Sequence, residues 1–153
     1  MRFEIPAPLR AEHEHLHETL KAATREPGAV GAAAREVAGL LHPHFVREEE
    51  FALPPLALLA PLAAGAPTAA MEQVLAMTRR LEADLPSMLQ EHGRIVEALA
   101  RLEQAARDAG QPRYEDFAAA LRLHAQTEEQ VLYPAAILVG RYLALALPEG
   151  ARS

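Results

Sequence analysis

Apolar positions recur at steps of three and four along most of the chain. The clearest run is Leu81, Leu85, Met88, His92, Ile95, Leu99, Leu102 and Ala106, with steps of 4, 3, 4, 3, 4, 3 and 4. Such spacing puts one stripe on one face of a helix. Three more runs follow the same rule. They are Leu9, His13, Leu16, Leu20, Ala23; then Val37, Leu40, Leu41, His44, Glu48, Phe51; and Phe117, Leu121, His124, Glu128, Val131, Ala135, Leu138. Breakers separate them: Pro27-Gly28, an apolar Pro-rich connection over 52–67, and Gly110-Gln111-Pro112. Helices are therefore expected over about 8–25, 30–51, 68–108, and from 113 past 133. Thr68 is a plausible N-cap, Pro86 should kink the third helix, and Pro134 should bend or end the fourth. Sustained alternation is absent, so no strands are expected. The expected fold class is all-α: an antiparallel four-helix bundle made of two helical hairpins.

The stripes are not purely apolar. Each carries a histidine near its middle, and two carry a glutamate one turn later. The chain also repeats itself. HFVREEEFALP from His44 aligns with HAQTEEQVLYP from His124, and EHEHLHETL from Glu12 with EHGRIVEAL from Glu91. His13 and His44 are centred on the first turn, and His92 and His124 on a point beside the Gly110 turn. Each hairpin can thus bring its two histidines to one level, and the repeat suggests that all four converge.

Composition narrows the chemistry. There are 153 residues, half of them hydrophobic, which suits one domain over 1–153 with a true core and excludes a disordered chain. Cysteine is absent, which excludes disulfides, thiolate metal sites, iron–sulfur clusters and a thiol nucleophile. The formal net charge is −6 and aromatics are 5%, so a nucleic-acid partner is not expected. No secretory signal or membrane span is visible, and a cytoplasmic location is the expectation. The segment 135–153 reads as a C-terminal extension, docked or used for dimer contact. A monomer or a homodimer is expected.

Four imidazoles and the carboxylates of Glu48 and Glu128 therefore point into an apolar core. Unpaired, each would cost several kcal/mol to bury. Divalent cations offset that cost, and imidazole with carboxylate suits iron, manganese or zinc. Six ligands fit two ions roughly 3.5–4 Å apart with the glutamates bridging. A buried polar network without metal is the alternative.

These residues resemble the hemerythrin-like, HHE cation-binding domain. The resemblance rests on E-H in the first and third helices and on H-x-x-x-E-E with a trailing Pro in the second and fourth. It implies a non-haem di-iron centre ligated by His13, His44, Glu48, His92, His124 and Glu128. The two irons would be oxo- or hydroxo-bridged, with zinc or manganese as less favoured occupants. The oxygen-carrier branch has a further histidine four residues along the third helix, where this chain has Val96, and H-x-x-x-x-D on the fourth. The four-His, two-Glu set is more similar to di-iron relatives that process peroxide or nitric oxide. The function implied is binding and redox processing of oxygen, hydrogen peroxide or nitric oxide. The alternative is a reversible oxygen binder, an oxygen or redox sensor, or an iron store without turnover.

His17, one turn after His13, and Glu49 and Glu129, beside the bridging glutamates, are held as extra ligands or as groups that orient a ligand. A solvated face is the competing reading for both glutamates. Glu12 and Glu91 either orient an imidazole N–H or are plain surface charge. Tyr133 is read chiefly as a packing residue, and Pro43 as a kink that aims His44.

Overall fold

The computed structural model describes residues 3–147. Its elements are α1 (Ala7–Thr24), α2 (Gly28–Arg47), a short α3 (Leu59–Ala64), α4 (Val74–Asp108), α5 (Pro112–Thr127) and α6 (Tyr133–Ala146). Two single π turns interrupt them, Glu48–Ala52 after α2 and Glu128–Leu132 between α5 and α6. No strand occurs among the described residues. The long rods are α1, α2, α4, and α5 continued by α6, and they form a four-helix bundle.

Local chemistry sets both chain reversals. Gly28 and Gly110 have φ of 69° and 66°, in the left-handed region that glycine enters without steric cost. The two turns lie together at one end of the bundle. Glu26 in the first accepts hydrogen bonds from Tyr114 Oη at 3.1 Å and Gln111 Nε2 at 3.4 Å beside the second.

The stripes of α1, α2, α4 and α5 face inward as their spacing requires. Leu16, Leu20, Val37, Leu41, Ile95, Leu99, Leu102, Phe117 and Leu121 form the core near these turns. A second cluster lies beyond, built from Phe51, Leu53, Leu56, Leu81, Met88 and Tyr133. The four stripe histidines occupy the level between the two clusters.

The fourth rod departs from expectation. Val131 and Leu138 belong to the apolar stripe by spacing, yet they are 56% and 62% exposed. Tyr133, Ala136, Val139 and Leu143 are buried instead. The π turn is the cause, because a turn closed by i→i−5 bonds takes one residue more than an α turn and rotates everything after it. Tyr133 N–H donates to the Glu128 carbonyl, and Leu53 N–H to the Glu48 carbonyl at 2.9 Å. A proline follows each donor. Having no N–H, Pro54 and Pro134 cannot continue the α pattern at that point. Pro134 neither ends the rod nor stops its burial; the helix runs on as α6.

α6 then packs closely on the start of α4. A Cβ added at Gly140 would lie 2.1 Å from Thr78 Oγ1. The connection over 52–67 contains a 3₁₀ turn (Pro54–Leu58) and α3, with Leu53 and Leu56 buried in the second cluster. Thr68 precedes a 3₁₀ turn, Ala69–Gln73, that leads into α4, and its side chain caps nothing. The α2 and α4 helices continue through Pro43 and Pro86. Of the 135–153 segment, residues 148–153 lie outside the described residues. Among those described, no helix is long and apolar enough to cross a membrane.

Candidate metal centre

Each rod brings one imidazole to the middle of the bundle: His13 from α1, His44 from α2, His92 from α4 and His124 from α5. All four are buried, and so are Glu48 and Glu128, the first residues of the two π turns. A carboxylate at that point lies one helical turn beyond its histidine and faces the same way.

The imidazoles meet in pairs between hairpins, not within them. His13 Nε2 is 3.1 Å from His124 Nε2, and His92 Nε2 is 2.8 Å from His44 Nε2. Each carboxylate serves both pairs. Glu48 turns Oε1 to His44 and Oε2 to His13, the latter at 3.4 Å. Glu128 turns Oε1 to His92 at 3.4 Å and Oε2 to His124 at 3.3 Å. Two four-residue groups result, His13–Glu48–His124–Glu128 and His44–Glu48–His92–Glu128. Either could hold an ion, and the two share both glutamates.

The far side of every ring is tied to a carboxylate. His44 Nδ1 donates to Glu91 at 2.6 Å, His92 Nδ1 to Glu129 at 2.9 Å, His13 Nδ1 to Glu49 at 3.3 Å, and His124 Nδ1 to Glu12. An ionised carboxylate only accepts, so these contacts keep a proton on Nδ1 and leave Nε2 as the inward atom that takes a cation or a second proton. Two neutral Nε2 atoms facing one another at 2.8–3.1 Å would repel, and a cation or a shared proton between them removes the repulsion. Glu48 Oε2 and Glu128 Oε2 are buried without any hydrogen-bond partner. Orphaned acceptors of this kind are costly in a protein interior. Donor chemistry and orphaned oxygens together fit a pair of divalent cations.

The electrostatics agree. Burial opposes charge on His13 and His92, but hydrogen bonds and charge from Glu128 and Glu48 outweigh it and hold both up at about 10. His124 is raised for the same reason, against its own burial. Burial would raise Glu48, yet the polar groups of Glu128, His13, His44 and His92 close around it hold it well below the usual carboxylate range. In the absence of metal, the cage draws protons in place of cations.

Residues 5–136 match the family described as the hemerythrin HHE cation binding domain. The chain belongs to this family. No curated protein and no solved structure matches it. As an HHE domain it has a buried His/Glu cluster able to hold metal.

The other singled-out residues divide. Glu49 and Glu129 lie against imidazole Nδ1 atoms, and so do Glu12 and Glu91; none of the four belongs to either ion-sized group. His17 is exposed and lines an outer cleft together with His42. Tyr133 is not merely packing. Its hydroxyl donates to Glu48 Oε1 at 3.0 Å and lies 3.2 Å from His92 Nε2. Desolvation, then the charges of Glu48 and Glu128, push its pKa far up, so it stays protonated. The sequence signal for it was the trailing L-Y-P, whose proline marks the π turn that rotates Tyr133 inward.

Proposed function

We propose that this chain is a non-haem di-iron protein in which His13, His44, His92 and His124 are terminal ligands and Glu48 and Glu128 bridge. The observation that carries the reading is the division of each carboxylate, with one oxygen turned to each histidine pair. When bound, the irons would supply reversible one-electron redox chemistry toward a small ligand such as oxygen, hydrogen peroxide or nitric oxide.

The chain's own residues do the rest. Glu12, Glu49, Glu91 and Glu129 fix ring orientation and keep the Nδ1 protons in place. Leu41, Phe45, Ile95 and Leu121 wall a cavity of about 10 Å³ against His44, His92, His124 and Glu128. That is room for roughly one water-sized molecule, which favours a diatomic or peroxide over an organic substrate. Tyr133 keeps its proton and offers it as a hydrogen bond toward Glu48. Among the described residues, no Ser, Cys or Lys nucleophile enters the site.

The test is elemental analysis of protein purified without added metal, with a visible spectrum before and after reduction. Two irons per chain and a near-ultraviolet band that reduction bleaches are expected. Colourless protein holding only zinc would overturn the reading. Gas evolution from peroxide, or nitric oxide consumption, then marks an enzyme. A stable oxygen adduct without turnover marks a reversible binder.

A further inference from the structure

Of the chain's seven histidines, His15, His17 and His42 stay outside the buried centre. Two of these come together. His17 on α1 and His42 on α2 are both exposed. Both line the outer cleft of about 400 Å³, and both line a neighbouring groove of about 230 Å³. They stand on the ridge between the two, on either side of the seam where α1 meets α2. Heights along the rods agree. His13 and His44 share a level across the first turn, so His17 and His42 are offset by only two residues, about 3 Å along the axis.

The cleft is anionic. Its wall holds the carboxylates of Glu14, Glu18 and Glu49 against one guanidinium, Arg10, which is turned to Glu4 at 3.7 Å. A recess lined by one sign of charge gathers the opposite ion. Among the described residues, Glu49 has His13 Nδ1 as a partner, whereas no hydrogen bond or ion pair engages the side chains of His17, His42, Glu14 or Glu18. Glu14 lies three residues before His17, a spacing that puts two side chains on one helical face. Two imidazoles and a carboxylate, all without protein partners, are a donor set for zinc, nickel, copper or iron.

This set differs in kind from the cage inside. His17 and His42 belong to neither buried group. Their rings stand in water, where side chains change rotamer within nanoseconds. They can close on an ion and let it go, which six buried and mutually braced ligands cannot do. His13 stands in the same cleft wall, four residues from His17 and so about 6 Å along α1. An ion held outside is one helical turn from an imidazole of the centre.

We propose that His17 and His42, with Glu14, form a third, solvent-facing site for a divalent transition-metal cation, and that this site collects ions for the buried centre. The collecting role rests on the two-ion reading above; the outer site itself does not.

The experiment dialyses the iron-loaded, air-oxidised full chain against nickel chloride and measures both metals. One nickel per chain should bind with the iron content unchanged. His17→Ala and His42→Ala should each weaken nickel at least tenfold, and Glu14→Gln at least threefold. His15→Ala, an exposed histidine outside the cleft, should leave it unchanged. No nickel beyond the iron overturns the site, and so does nickel that ignores both His17→Ala and His42→Ala. A chain without an iron pair sinks the two-ion reading, and the nickel count then still decides the outer site. The collecting role is tested by mixing metal-free chain with ferrous iron under argon, stopping with a chelator at intervals and counting the iron that resists it. The His17→Ala/His42→Ala double variant should fill at least fivefold more slowly and reach the same final content. An unchanged rate overturns the collecting role. A lower final content would make these histidines ligands of the centre itself and overturn the outer site.

Discussion

Glu12 on α1 accepts the Nδ1 proton of His124 on α5, 112 residues further along the chain. The repeat places Glu91 against His44 in the same way. Neither glutamate belongs to an ion-sized group, yet each sets a ring that does. Glu12→Ala and Glu91→Ala should therefore weaken metal binding about tenfold or more while the helices stay intact. Chelator competition, with circular dichroism alongside, checks this. Unchanged affinity in both variants would return these residues to the solvated surface.

Glu48 and Glu128 carry more of the cage. Each is shared by both groups, so Glu48→Ala strips one oxygen from each ion position. The variant should lose at least one metal per chain, and His124→Ala likewise. Full occupancy in both, measured by elemental analysis, would remove them from the ligand set.

Metal-free protein should depend on pH in a defined sense. His13 and His92 are raised to about 10 in the folded chain, from an ordinary value near 6.5. A raised pKa means that the folded state binds the proton more tightly. The stabilisation is fully present below about pH 6.5 and is lost as pH rises through about 10. The melting temperature of the metal-free chain should fall across that window. With metal on Nε2 the same titration is blocked, and the loaded chain should be flat there. Parallel calorimetry of the two forms compares them.

Gly140 is where α6 comes closest to α4. A methyl group there would collide with Thr78 Oγ1 and Cβ. Gly140→Ala should cost about 1–3 kcal/mol, the usual range for overpacking a tight contact. Denaturant unfolding at equal slope measures it. A midpoint equal to that of the unmodified chain would show that the two helices separate at no cost.

Much of this was legible before any coordinates. The stripes of α1, α2, α4 and α5 depend only on 3.6-residue periodicity, and nothing disturbs that period before Glu48 and Glu128. Both turns carry glycine where φ is positive. The six centre residues stood out because buried imidazole and carboxylate need partners. What spacing could not give was the phase beyond Glu128. A stripe assumes about 100° per residue, and one π turn breaks that assumption, which turned Val131 and Leu138 outward and Tyr133 inward. Nor could heights along the rods say which rings would face each other. The levels agree with His13 beside His44 or His13 beside His124; only packing between the hairpins selects the second.

The four acid–imidazole links join neighbouring rods in turn. Glu12 ties α1 to α5, Glu129 ties the end of α5 to α4, Glu91 ties α4 to α2, and Glu49 ties the end of α2 back to α1. They close into a hoop, so no rod can roll about its own axis without dragging both neighbours. A cation arriving at this centre meets donors already aimed, and little of its binding energy goes into ordering them.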